Sequence, residues 1–160
     1  MIIAVDGPAA SGKGTIAKAL GRHYRLPVLD TGLLYRAVGL SVLKAGGDPD
    51  REEDALVQRQ RDFATQPGGA ILDGRDIGTV IAPDADAKIF VTASVHVRAE
   101  RRYKDALAHG GHPDMDSLVA DIQARDTRDM SRDHAPLRVA DGADLLDTSD
   151  LTIESAVQRA

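Results

Sequence analysis

The stretch Gly7-Pro8-Ala9-Ala10-Ser11-Gly12-Lys13-Gly14-Thr15 restricts what this chain can fold into more than any other. It follows directly on the apolar run Met1-Ile2-Ile3-Ala4-Val5 and leads into Ile16-Ala17-Lys18-Ala19-Leu20, which has helical composition. A short strand, a glycine-punctuated loop and a helix in immediate succession form the setting of a phosphate-binding loop, with an ordinary βα turn as the alternative. Gly7 and Gly12 permit backbone angles closed to other residues and place no Cβ between the main chain and a ligand. Successive N–H groups can then face phosphate oxygens at the positive end of the following helix. Lys13 adds a compact cation beside the β- and γ-phosphates of a nucleotide, where charge shifts during phosphoryl transfer. The usual pattern has Ser or Thr after the lysine to hold magnesium; here Gly14 follows and the hydroxyl arrives one residue later, on Thr15.

The rest of the composition bounds the partners. At 160 residues, 42% hydrophobic and 28% charged, the chain has the size of a single domain with a substantial core. A net charge of −5 argues against a nucleic-acid polymer as partner, so the basic residues are local tools. The absence of cysteine removes disulfides and thiolate metal sites. No apolar run approaches about 18 residues, and the N-terminus enters a strand at once. Neither a membrane span nor a signal peptide is therefore expected, and the cytoplasm is the expected location.

Along the chain, helix is expected over 13–24, strand over 25–30, and helix again over 33–45, stopped by Gly46-Gly47 and Asp48-Pro49. The segment 50–66 reads as a polar, solvated helix with Leu56 and Phe63 on one face. Three further strands are expected at 70–73, 88–92 and 143–147, with charged helices over 95–108 and 116–130. Strands separated by helices imply an α/β fold with a five-stranded parallel sheet, helices on both faces and ligands at the carboxyl ends of the strands.

Polar clusters fall where that edge should lie. Asp30, Asp73 and Asp76 stand at or just beyond strand ends. Asp73 suits the acid that orders magnesium and its waters, with a capping or turn aspartate as the alternative. The run Asp73-Gly74-Arg75-Asp76-Ile77-Gly78-Thr79 packs two acids, two glycines and an arginine into one loop, and the guanidinium fork of Arg75 suits a phosphate. Tyr35 and Arg36 follow in the second helix; Arg36 either reaches an acceptor phosphate or pairs with a surface acid. Arg125, Arg128, Asp129 and Arg132 share a helical face that could oppose Lys13, or form a salt-bridged solvent face. Arg98, Arg101 and Arg102, followed by the turn His109-Gly110-Gly111-His112-Pro113, read as part of a small mobile lid over about 98–132. The histidines have no metal-ligand spacing, and no protein-only metal site is expected.

With these residues in view the chain resembles bacterial cytidylate kinases, members of the nucleoside monophosphate kinase family. The similar stretches are IAVDGPAASGKGT at 3–15, LDTGLLYRAV at 29–38, LDGRDIGTVIAPDADAKIFVTAS at 72–94, QARDTRDMSR at 123–132 and ADLLDTSDLTIESAV at 143–157. The resemblance implies a P-loop kinase core that transfers the γ-phosphoryl group of ATP, with Mg2+, to CMP or dCMP. It implies that Lys13 and the whole loop, Gly7 through Thr15, hold the donor, with Thr15 on phosphate. Arg36, Arg75 and Arg132 would grip the acceptor phosphate and the transferring group. Asp76 would read the cytosine amino group, Arg125 and Asp129 the sugar, and Thr31, Tyr35 and Asp73 would complete the acceptor site. A monomer is expected.

One departure stands out. Members of that family carry a small, partly β-structured acceptor-binding insertion between the Tyr-Arg helix and the DGRD strand, which supplies part of the cytosine pocket. Here only residues 39–72 fill the gap, with no sheet-like segment and an abrupt junction expected near 53–57. Two other readings therefore remain: a nucleotide-binding module that lost transfer along with the insertion, and a small P-loop kinase with another acceptor.

Overall fold

The computed structural model describes residues 1–44 and 53–160, so the stop signal at Gly46-Gly47-Asp48-Pro49 lies outside the described residues. Strands β1 (Ile2–Asp6), β2 (Val28–Asp30), β3 (Ala70–Gly74), β4 (Ala87–Thr92) and β5 (Asp144–Asp147) form one sheet in the order β2-β3-β1-β4-β5. Every pairing is parallel. Among the described residues the helices are α1 (Lys13–Tyr24), α2 (Thr31–Lys44), α3 (Glu53–Ala64), α4 (Val95–Ala108), α5 (Met115–Met130) and α6 (Ile153–Arg159), with a π-helical turn at Ile77–Ile81.

Alternation along the strands builds the core on both faces. Ile3, Val5 and Ile71 pack with Ile16 and Leu20 of α1 and Ala156 of α6, while Ala4 and Leu72 meet Ala64 of α3 and Ile77 and Ile81 of the π turn. Each fully buried Ile, Leu or Val contributes about 1.5–3 kcal/mol, so this two-sided burial holds β1 and β3 firmly at the centre. β1 lies between β3 and β4, so the chain leaves it toward one side and later returns to the other. That reversal opens a crevice at the carboxyl end of β1, where α1 begins.

Local chemistry explains where the elements depart from expectation. The second strand starts later than expected, at Val28, because Arg25 closes α1 in a left-handed conformation (φ 56°). α2 starts earlier, at Thr31, because the Asp30 carboxylate accepts the Leu33 N–H at 2.8 Å. The expected solvated helix is corrected: α3 buries Leu56, Gln60 and Ala64, with Ala64 packed among residues of β3 and the π turn and Gln60 donating to the Tyr35 hydroxyl of α2. Most of the expected DGRDIGT loop is likewise regular structure, since β3 runs to Gly74 and the π turn begins at Ile77, leaving only Arg75 and Asp76 between them. α6 was not anticipated; Thr152 caps it by accepting the Ser155 N–H. Among the described residues no helix is long and apolar enough to cross a membrane.

Candidate active site

A cleft of about 1060 Å³ opens at the carboxyl edge of the sheet. Strand register sets its floor: Asp30 of β2 pairs with Asp73 of β3, and Asp6 of β1 with Gly74. The expected residues Lys13, Thr15, Thr31, Tyr35, Arg36, Asp73, Arg75, Asp76, Arg125, Asp129 and Arg132 all line it. They come from α1, α2, the end of β3 and the end of α5.

The glycine loop forms one wall, though its glycines do different jobs. Ala9 through Thr15 line the cleft, with Gly12 at φ 95° immediately before α1. Gly7 and Pro8 are buried behind it. A Cβ on Gly7 would lie 2.0 Å from the Val91 carbonyl oxygen, so this glycine serves the close approach of loop to β4 rather than access for a ligand. Gly14 explains the unusual step after the lysine: a Cβ there would stand 3.0 Å from Asp73 Oδ2. A serine or threonine in that place would press on the carboxylate that faces Lys13.

Electrostatically the cleft is a site short of anions. Lys13 Nζ lies 3.7 Å from Asp73 Oδ1, and both side chains are largely buried. Burial lowers the Lys13 pKa, Asp73 opposing and Arg75 and Arg125 reinforcing the shift. Burial also pushes the Asp73 carboxyl up to about 6, against the pull of Lys13. Asp73 Oδ1 has no hydrogen-bond partner among the described residues. Burial similarly disfavours the charge on Arg125, with Arg75 as the next cause and with Arg102 and Arg36 adding repulsion. Such crowding of cations is relieved by a polyanion.

On the opposite wall, Asp129 accepts Arg75 Nε at 2.6 Å and Arg132 Nη2 at 2.8 Å. It therefore sets the direction of two guanidinium groups, each of which carries further N–H donors. Thr31 is buried and donates to the Asp73 carbonyl at 2.9 Å, tying α2 to β3. Arg36 is exposed at the cleft edge, and Asp30 is committed to capping α2. The expected common face of four residues needs correction, because α5 ends at Met130. Arg132 reaches Asp129 from beyond the helix, while exposed Arg128 bonds back to the Ala124 carbonyl. Arg98 is no solvent-facing lid cation: it is 3% exposed and held by Ala93, Ala9 and Asp126.

Two buried contributors were missed. Asp6 accepts the N–H groups of Ile77 (2.9 Å) and Gly78 (2.7 Å), fixing the turn that follows Arg75 and Asp76. Its signal was present, an acid ending a buried strand directly before Gly7. Thr148 lines the cleft and bonds to the glycine loop, and only its place in the stretch at 143–157 hinted at this.

The sequence profile of the cytidylate kinase family matches residues 3–56 and 50–160. A cytidylate kinase from Caulobacter sp. (strain K31) is 48% identical over 197 positions, covering 99% of this chain and 91% of that protein. One from Rhodopseudomonas palustris (strain BisB18) is 48% identical over 198 positions, covering 100% and 93%. Those alignments are longer than the 160-residue chain, so the relatives hold internal residues with no counterpart here. The profile's two matches meet over 50–56. Among solved structures, a shikimate kinase from Bacteroides thetaiotaomicron superposes with a TM-score of 0.64 at 22% identity, over 99% of this chain and 95% of that one. A gluconokinase from Sinorhizobium meliloti 1021 gives 0.61 at 18% identity, over 98% and 86%. At such identities these structures share the fold alone.

Proposed function

We infer the function from one premise: the chain belongs to the cytidylate kinase family. It is a kinase that transfers the γ-phosphoryl group of ATP to CMP or dCMP, giving ADP and CDP or dCDP. The observation that carries this to the cleft is the convergence of Lys13, Arg36, Arg75, Arg125 and Arg132 beside a glycine loop at a helix N-terminus.

The residue roles are as follows. N–H groups of the loop through Thr15 hold the donor phosphates, with Lys13 at the β- and γ-phosphates. Arg36, Arg75 and Arg132 grip the acceptor phosphate and the group in transit, and Asp129 keeps Arg75 and Arg132 aimed. A carboxylate offers about four acceptor sites, so Asp129 can still take a sugar hydroxyl, alongside Arg125. Asp76 reads the base amino group, and Thr31 and Tyr35 shape the acceptor side. No general base is required: the acceptor phosphate is already an anionic nucleophile, and catalysis rests on alignment and charge neutralisation.

The residues present suit Mg2+. Asp73 lines the cleft with its buried Oδ1 free of hydrogen bonds among the described residues and 3.7 Å from Lys13 Nζ, and Thr15 lines the same cleft. Mg2+ bound there with ATP would neutralise charge on the β- and γ-phosphates. Asp73 would hold it through water, and the phosphates would supply further oxygens. The protein acts as a cytoplasmic monomer, with α4 and α5 closing over the donor.

The missing internal residues support a second reading, binding of ATP without transfer. The test is ADP release with ATP, Mg2+ and CMP, with each nucleotide also titrated separately. CMP-dependent release is expected; ATP binding without CMP binding or turnover would favour the second reading.

A further inference from the structure

The backs of three successive peptide units in the glycine loop are held by side chains from distant parts of the chain. The Ala9 carbonyl accepts Arg98 Nη1 at 3.3 Å, the Ala10 carbonyl accepts Arg101 Nη1 at 3.3 Å, and the Ser11 carbonyl accepts the Thr148 hydroxyl at 2.9 Å. The holders are themselves held. Arg101 also donates to Thr148 Oγ1 at 3.1 Å and to the Thr148 carbonyl at 2.8 Å. Arg98 donates to the Ala93 carbonyl at 2.9 Å and makes a two-pronged pair with Asp126 of α5, at 2.9 and 2.5 Å. Thr148 and Arg98 are almost wholly buried.

In a planar trans peptide the N–H points opposite to the C=O. Holding the carbonyls of residues 9, 10 and 11 from behind therefore directs the N–H groups of Ala10, Ser11 and Gly12 the other way, as an anion-binding nest needs. The loop adopts this shape against local preference, since Ala10 sits at φ 60°, a left-handed conformation that an alanine disfavours. A strained conformation persists when its surroundings over-determine it.

We propose that Arg98, Asp126 and Thr148 are positioning residues that clamp the donor loop from behind, so that its N–H groups face the phosphates before ATP arrives. Arg98 and Asp126 stand outside the cleft lining, and Thr148, which does line the cleft, acts on the loop through the Ser11 carbonyl. Because Asp126 lies on α5, the same clamp sets the distance between the donor loop and the helix carrying Arg125 and Asp129. Naming ATP as the donor rests on the proposed function; the clamp does not.

The test is equilibrium titration of ATP and, separately, of CMP on the full chain, at a temperature where circular dichroism shows each variant folded. Thr148→Val keeps the shape and removes the hydroxyl. It is expected to weaken ATP binding by about tenfold or more, with CMP binding within about twofold of the parent. Thr148→Ser keeps the hydroxyl and should restore ATP affinity to within about threefold. Asp126→Asn, which breaks the pairing of Arg98, should give the same selective loss. Should Thr148→Val fail to fold, Asp126→Asn decides by the same criterion, its side chain being 14% exposed. ATP affinity equal to the parent's, or equal weakening of ATP and CMP, would overturn the clamp. A parent that binds ATP but never phosphorylates CMP counts against the proposed function and leaves this test intact, because the readout is binding.

Discussion

In the glycine loop the carbonyls of residues 9–11 each have a partner drawn from α4 or the end of β5, whereas across the cleft α2 presents Arg36 to solvent and leaves Leu33 and Leu40 more than half exposed. One side is a backbone device, compact in sequence and tied at its carbonyls. The other is assembled from side chains of α2, β3 and α5, next to the place where relatives carry additional residues. Donor phosphates are alike on every nucleoside triphosphate, so preformed N–H groups suffice for them. An acceptor must be distinguished by its base, which needs side-chain donors and acceptors in a closed pocket.

The sharpest way to break this contrast is at Lys13. Lys13→Ala is expected to lower turnover by about a thousandfold or more with the fold retained, as coupled ADP release and circular dichroism would show. Arg132→Ala should lower it by a smaller but still large factor. Turnover near the parent's would remove both residues from the transfer step.

Asp6 tests whether the floor of the acceptor side depends on a buried carboxylate. Asp6→Ala leaves the Ile77 and Gly78 N–H groups buried without their acceptor, so urea unfolding should show a loss of about 2–4 kcal/mol. Among molecules still folded, KM for CMP should rise more than KM for ATP. Equal changes would mean that Asp6 serves the whole sheet edge.

Asp73 predicts a pH dependence shared by the two walls. Its carboxyl is raised from 3.8 to about 6 by burial, so the folded chain keeps a proton that the unfolded chain loses between those values. Its contribution to stability is present below pH 3.8 and is lost as pH rises through about 6. A two-unit shift corresponds to about 3 kcal/mol at most. Urea midpoints from pH 4 to 7 should fall more steeply for the parent than for Asp73→Asn; parallel slopes would disprove the assignment.

The smallest expected effect concerns base selectivity. With the additional segment of the relatives missing, turnover with CMP should exceed that with UMP by only about tenfold. A much larger preference in matched assays would show that Asp76 and its neighbours suffice to read the base.

Most of the sheet and the glycine-loop wall of the cleft was legible because the controlling signals are local. Apolar runs ending in Asp30 and Asp73, and Gly12 before Lys13, mark strand ends and a helix start wherever they occur. α3 was misread because its apolar face is sparse in sequence; Leu56, Gln60 and Ala64 become a buried stripe only in the fold, where Ala64 meets β3 and the π turn and Gln60 meets Tyr35 of α2. Arg98 was misread for a related reason. A charged residue on a polar helix is solvated unless the fold brings it a partner, and Asp126 stands 28 residues away.

By itself the sequence determined the parallel α/β order, the glycine loop with Lys13 at the head of α1, and the set of cations and acids able to handle phosphate. These follow from periodicity, backbone freedom and charge, which are properties of neighbouring residues. Only the tertiary structure decided what each polar group faces. It turned Gly7 toward Val91, matched Gly14 to Asp73, gave Asp129 two arginines, and tied Arg98 and Thr148 to the carbonyls of the glycine loop. The physical reason is that a buried polar atom must find a partner or incur its full desolvation cost, and those partners come from strands and helices far apart in the chain.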